Sequence, residues 1–276
     1  MTLLEIDTII HQMKAGNSQP FLVSCNDSKQ YVMKCLNNTT NGKALFNELI
    51  AYRLSNLLKI DSPKSGIAKL PKNIVESNTL LLNNESRYGK CFVSQLINGV
   101  SLGINPITVS SISNINIFPK LVFFDTFLMN SDRADNKGNW FITKKDKKLI
   151  ALDHTNIFRI AQIWDSASLA QDSQNPPEII KQIDDLSYRL LAERYKKNNP
   201  QTHHPFSPIA RIFKNLSDKE IHSCFSKIPS EWKISDTDLQ AAQNFILFQR
   251  EHSTDIVNEL DQKFGFNKGG YQHGKF

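Results

Sequence analysis

The chain has 276 residues, 40% hydrophobic and 22% charged, enough to bury a sizeable core and to form two domains or lobes. No apolar run approaches the roughly 18 residues of a membrane-spanning helix, so no membrane partner is expected. The formal net charge of +6 admits an acidic or nucleic-acid partner, but the lysines are scattered. Their one tight run, Lys144, Lys145, Lys147 and Lys148, reads as a solvated hairpin tip, and there is no zinc finger or aromatic–basic RNA signature.

Met1 to Lys14 carries Glu5 and Asp7 and lacks the basic start and apolar core of a signal peptide. Its Leu3, Leu4, Ile9 and Ile10 predict the apolar face of a helix. Pro20 to Leu36 reads as a β-hairpin turning at Asn26-Asp27-Ser28-Lys29. Lys43 to Leu58 has helical periodicity and ends before Asp61-Ser62-Pro63; strand-like runs follow at 67–70, 79–82 and 91–96. Around Ile97-Asn98-Gly99 the texture changes, and a boundary is expected there: residues 1–97 mainly strands, residues 98–276 mainly helices. Beyond it, Asn116 to Asn130 is apolar and helical, Asn139–Thr143 and Lys148–Leu152 form a hairpin, and helices are expected over 178–196, 217–226 and 237–262. The layout is an α+β, two-lobed one, and a cleft between lobes is a natural ligand site. Cys25, Cys35, Cys91 and Cys224 form no CxxC pair and no metal-ligand spacing with histidine. Buried thiols in a reducing, cytoplasmic compartment are expected.

Five positions along the chain stand out as a set. Lys34 interrupts the apolar face of the second strand; Glu48 lies on the following helix, its side shared with Ala44, Ala51, Tyr52 and Ser55. Asp132 and Arg133 follow the apolar helix, Asn139 opens the next hairpin, and Asp153 ends its return arm before His154. Taken singly, each has an ordinary explanation: an edge-strand lysine, a solvent-facing glutamate, a polar turn, a strand-end aspartate. Together they supply what phosphoryl transfer requires: a cation for phosphate, an acid to hold it, a carboxylate to orient a hydroxyl, and hard oxygen donors for magnesium. His154 reads as a packing histidine.

On these residues, and on Gly16-Asn17-Ser18-Gln19-Pro20, Tyr31-Val32-Met33-Lys34, Asn47-Glu48-Leu49, Phe92-Val93-Ser94-Gln95, Phe124-Asp125-Thr126 and Ile228-Pro229-Ser230-Glu231-Trp232, the sequence resembles the HipA-like kinases. The Asp-Arg and Asn-Trp pieces are also similar to type II phosphatidylinositol 4-kinases. The resemblance implies a protein-kinase-like fold and an ATP- and Mg2+-dependent kinase acting on a protein hydroxyl. It also implies an antitoxin-like partner. By it, Asp132 is the catalytic aspartate, Lys34 binds phosphate with Glu48 in support, and Asn139 and Asp153 hold magnesium. Gly16, Asn17, Ser18, Gln95 and Ile97 would contact the nucleotide, and Ser18 would be the candidate for autophosphorylation.

Two departures stand out. Only Gly16 represents the glycine-rich loop. Asn139 lies seven positions after Asp132, where the kinase pattern has about five, so Ala134-Asp135-Asn136-Lys137 is expected to bulge, with Asn136 the alternative ligand. A nucleotide-binding pseudokinase, a partner-binding module, a lipid kinase and a nucleic-acid reader are the other readings. Turnover, vesicle binding and salt-dependent DNA binding discriminate them.

Overall fold

Alternating apolar side chains close the first third of the chain into a barrel. In the computed structural model, which describes residues 4–13 and 19–266, the strands are β1 (Leu4–Gln12), β2 (Phe21–Cys25), β3 (Gln30–Lys34), β4 (Ser65–Leu70) and β5 (Gly89–Gln95). They follow one another around the barrel in the order β1-β2-β3-β5-β4, with β1 parallel to β4 and the other pairs antiparallel. Phe21, Val23, Tyr31, Met33, Cys91 and Val93 point inward and form a core of their own with Ile6. Period 2 then dictates that Val32 and Lys34 on β3, and Phe92 on β5, face outward.

The first segment is a strand and not the expected helix. Register shifts between Ile6 and Thr8 and between Ile9 and His11 insert extra residues. Inward side chains therefore fall at Ile6 and Ile9, three apart, a spacing that imitates a helix. Between β3 and β4 runs helix α1 (Gly42–Leu57), capped by Asn41, whose side chain accepts from the Ala44 amide. It lies on the outer side of the barrel and is bolted to the rest of the chain. Arg53 donates to the carbonyls of Cys224 and Ser226, both at 2.7 Å, and Gly42 packs against the Trp232 backbone.

Two short helices, α2 (Lys72–Ser77) and α3 (Thr79–Asn83), connect β4 to β5. Residues 79–82 were expected as strand; the Asn78 side chain accepts from the Leu80 and Leu81 amides and caps a helical turn instead.

Past β5 a three-stranded antiparallel sheet, β6 (Gly99–Ser101), β7 (Trp140–Thr143) and β8 (Leu149–Ala151), joins the predominantly helical remainder. The helices are α4 (Pro106–Ser111), α5 (Phe118–Phe127), α6 (Ser166–Asp172), α7 (Leu186–Asn198), α8 (Ser207–Lys214), α9 (Asp218–Cys224), α10 (Asp236–Glu251) and α11 (Ser253–Phe264). Helix α5 is buried on nearly every side, with only Lys120 reaching the surface, as its mainly apolar sequence requires. Phe127 stacks on Phe213 at 4.3 Å between ring centroids, and Phe118 packs edge-on to Phe264. This second core also takes in the buried face of α1 and Phe92.

Helices α6 and α8 were not expected, the helix expected from 178 begins at Leu186, and the single helix over 237–262 is two helices meeting at His252. All four cysteines are free and buried. No helix among the described residues is long and apolar enough to cross a membrane.

Candidate active site

A cavity between the barrel and the helical part is lined by Val32 and Lys34 of β3, Glu48 and Tyr52 of α1, Gln95 and Ile97 at the end of β5, Asn136, Gly138 and Asn139 before β7, and Leu152, Asp153 and His154 after β8. Six of the ten site residues expected from sequence, Lys34, Glu48, Gln95, Ile97, Asn139 and Asp153, thus face one space. Gly16, Asn17 and Ser18 lie outside the described residues. Asp132 is not in the lining but is tied to it: the Asn139 side-chain amide donates to its Oδ2 at 2.9 Å.

Lys34 is buried at the centre. Its ammonium donates to Glu48 Oε1 at 2.5 Å, to Asp153 Oδ1 at 3.0 Å and to the Thr155 hydroxyl at 2.9 Å. The same hydroxyl reaches Glu48 at 2.8 Å and Asp153 at 3.1 Å, and the His154 amide donates to Glu48 Oε2. Burial opposes the charge on Lys34, but Asp153 and Glu48 outweigh it and raise its pKa above the ordinary lysine value. Burial likewise opposes ionisation of Asp153, yet Lys34 holds its carboxyl well below the usual range. One ammonium cannot fully serve two carboxylates, so Glu48 is pushed upward, by burial first and by Asp153 in addition. A cation facing two acids leaves an excess of buried negative charge, an environment that favours a further cation.

Asp153 has φ +57°, a left-handed conformation that Asp tolerates better than most residues. Asp132 is half-buried. Burial raises its pKa, against the side-chain hydrogen bonds of Asn139, Asn156 and Asn136. The longer loop is absorbed as a turn: the Asn136 amide donates to the Asp132 carbonyl at 2.9 Å, the Asn139 amide to the Asn136 carbonyl at 2.9 Å, and Lys137–Asn139 forms one 3-10 turn. Asn139 keeps its place at the mouth of β7, beside Asp132.

Beneath the loop lies a polar cluster that the sequence did not announce. Arg133 is fully buried and forks onto Asp125, Nε to Oδ2 at 2.6 Å and Nη2 to Oδ1 at 2.9 Å. Its Nη1 donates to the carbonyls of Asn139 and Leu152, each at 3.1 Å. Asp125 also accepts from the Tyr188 hydroxyl and from the Asn130 amide, both at 2.9 Å. His154 meets Arg133 through Nε2 at 2.9 Å and packs edge-on to Phe124; burial, with help from Arg133, pushes its pKa down to about 3. It is a neutral packing group, as expected. Arg133 therefore fixes the backbone at both Asn139 and the residue before Asp153. Of these residues, the sequence marked Arg133 as part of a motif but not its anchoring role, and Thr155 and Asn156 carried no signal beyond their proximity to Asp153.

The residues present suit a magnesium ion. Asp153 offers a carboxylate and Asn139 an amide oxygen, hard donors both. No cluster of three or more His, Cys, Asp or Glu able to hold a metal is present among the described residues. Magnesium is normally held by one or two protein carboxylates together with substrate phosphates.

No curated protein matches the chain in sequence. Among solved structures, the proinflammatory kinase CtkA of Helicobacter pylori superposes with a TM-score of 0.59 at 13% identity, covering 95% of this chain and 97% of that one. A Golgi casein kinase aligns at 0.46 and 12% identity over 92% and 74% of the two chains. HipA of Shewanella oneidensis MR-1, solved with HipB and operator DNA, aligns at 0.42 and 11% over 96% and 74%. The CtkA superposition shows that the fold is that of a kinase. The sequence pattern of the HipA-like kinases matches residues 6–169, more than half of the chain and the stretch that contains every residue of the cluster around Lys34, and the chain belongs to that family of kinases.

Proposed function

We propose that the protein transfers the γ-phosphoryl group of ATP to a serine or threonine hydroxyl of a protein. The observation that carries this reading is the buried Lys34–Glu48–Asp153 cluster facing the same cavity as Asn139, which in turn holds Asp132. In this reading residues 1–97 form one lobe and residues 98–276 the other, with Gln95 and Ile97 against the base and Gly16, Asn17 and Ser18 at the phosphates. Lys34 holds the inner phosphates, Glu48 and Thr155 keep its ammonium aimed, and Asn139 and Asp153 hold magnesium. Bound magnesium supplies neutralisation of charge on the phosphate oxygens.

Asp132 orients the acceptor hydroxyl. As the acceptor oxygen bonds to the γ-phosphorus and the bond to the bridging oxygen of ADP breaks, the hydroxyl proton passes to Asp132. Its raised pKa improves it as an acceptor for that proton. Positioning and charge stabilisation account for most of the rate enhancement. The antitoxin-like partner implied by the resemblance belongs to the same reading and would be sought by co-purification.

The test is label transfer from radioactive MgATP to a mixed protein extract, followed by phosphoamino-acid analysis, with Asp132→Asn alongside. Phosphoserine or phosphothreonine formed by the wild type and lost in the variant is the expected result. Equal labelling by both proteins would remove Asp132 from the mechanism.

A further inference from the structure

A second pocket lies apart from the nucleotide cavity and is absorbed by none of the roles above. It is bounded by Met129 at the end of α5, by Arg159 and Ile160, by Asp172 at the end of α6, by Glu178, and by Gln249 of α10. Three observations give it a chemistry. Its charged residues are one guanidinium and two carboxylates, a local excess of negative charge on a chain whose net charge is +6. Arg159 is already committed, with Nε 2.9 Å from Asp172 Oδ1, whereas Glu178 is exposed and has no ion-pair partner among the described residues. Gln249 is 1% exposed and lines the pocket, yet its side-chain Oε1 is buried without a hydrogen-bond partner. A buried amide oxygen left unpaired is costly, and a donor entering the pocket would relieve that cost. An unpaired carboxylate at Glu178, a second one that Asp172 shares with Arg159, and an unpaired amide oxygen suit a group rich in N–H donors and positively charged, a guanidinium above all.

The position is equally specific. Arg159 and Met129 are joined by an amide-to-carbonyl hydrogen bond of 3.1 Å. Met129 precedes Asp132 by three residues, so their Cα atoms lie within about 11 Å. An extended polypeptide advances about 3.3 Å per residue, which places the pocket within a few residues of a hydroxyl held at Asp132.

We propose that this pocket docks an arginine or lysine of the protein acceptor, within about five residues of the phosphorylated hydroxyl. The proposal rests on the kinase reading and adds the acceptor's sequence class to it.

The experiment is phosphorylation of a positional-scanning library of serine and threonine peptides by wild type, by Glu178→Gln and by Asp172→Asn/Glu178→Gln. MgATP-dependent thermal stabilisation is measured on each as the check on folding and nucleotide binding. Glu178 is exposed, so its single variant keeps the test valid if the double variant folds poorly. The wild type is expected to prefer a basic residue at one position by about tenfold or more, the size of a charge-assisted hydrogen bond, with the preference reduced in Glu178→Gln and abolished in the double variant. A wild type stabilised by MgATP that shows no basic preference, phosphorylates no peptide of the library, or keeps its preference in stable variants overturns the docking site and leaves the kinase reading standing. Absence of any MgATP stabilisation in the wild type would instead remove the kinase reading itself.

Discussion

At the scale of single residues, Arg133 links the candidate site to its foundations. It has no exposed surface, and its charge is matched by Asp125. Removing one member of such a pair strands the other in a medium that cannot solvate it. Arg133→Met is therefore expected to cost about 3–5 kcal/mol of stability, read as a lowered urea midpoint; a loss below about 1 kcal/mol would show that Asp125 finds another partner.

His154 gives the second prediction at this scale. Its pKa falls from 6.5 to about 3 because burial and Arg133 oppose a second positive charge, against the milder pull of Asp125 and Asp153. Between those values the unfolded chain binds a proton that the native protein refuses. The contribution of His154 is thus fully present above about pH 6.5 and is lost progressively as pH falls toward 3. Wild type should lose more stability than His154→Asn between pH 7.5 and pH 5, so the gap between them should narrow. A gap independent of pH would mean that His154 titrates normally.

The sequence carried Lys34, Glu48, Asn139 and Asp153 because each breaks a local pattern: a charge on an apolar strand face, a charge on a helix side of mostly small residues, or a polar group where a strand starts or stops. It could not show Thr155 joining three charged groups. A hydroxyl beside an aspartate has no pattern to break.

At the scale of elements, α1 decides whether Glu48 meets Lys34. The helix is anchored at three places: Arg53 on the carbonyls at and just past the end of α9, Asn47 between the Thr155 and Ala161 carbonyls at 2.7 and 2.9 Å, and Gly42 against Trp232. A Cβ on Gly42 would stand 1.8 Å from the Trp232 carbonyl oxygen, so the helix start must shift to admit one. Gly42→Ala is expected to destabilise the fold by about 1–3 kcal/mol and, by displacing Glu48, to weaken MgATP stabilisation as well. Unchanged stability and nucleotide response would mean that the start of α1 yields freely.

Elements with one strong signal were legible: the hairpin of β2 and β3, the long helix α1, the apolar helix α5 and the hairpin around Asn139. Failures had local causes. The bulges of β1 replaced a spacing of two by three, and the leucine run of α3 fits strand or helix until Asn78 is seen to cap it. Helix α6 begins at a capping box from Asp165 to Ser168, and α8 at a Ser-Pro pair; both are short and lie among polar loops, where their few apolar residues form no readable period.

At the scale of the whole molecule, the chain builds two buried clusters, one inside the barrel and one among the helices, and the candidate site lies where they meet. Helix α1 packs with the helical core although it lies in sequence between two barrel strands. Its lysine partner therefore comes from the barrel and its other neighbours, Thr155 and His154, from the far side of the cavity. The change of texture near residue 97 was visible in sequence. This crossing of α1 into the other core was not, because it depends on contacts more than a hundred residues away.

The kinase reading requires that this junction bind a magnesium nucleotide through Asp153. Thermal unfolding of wild type and Asp153→Asn, each with ATP alone and with ATP plus Mg2+, tests it most directly. Ligand at about 100 times its dissociation constant contributes about 2.7 kcal/mol, worth roughly 5 °C for a chain of this size at about 2 °C per kcal/mol. A magnesium-dependent rise of that order is expected in the wild type, with its loss in Asp153→Asn. A folded wild type that does not respond, or a variant that responds equally, would contradict it.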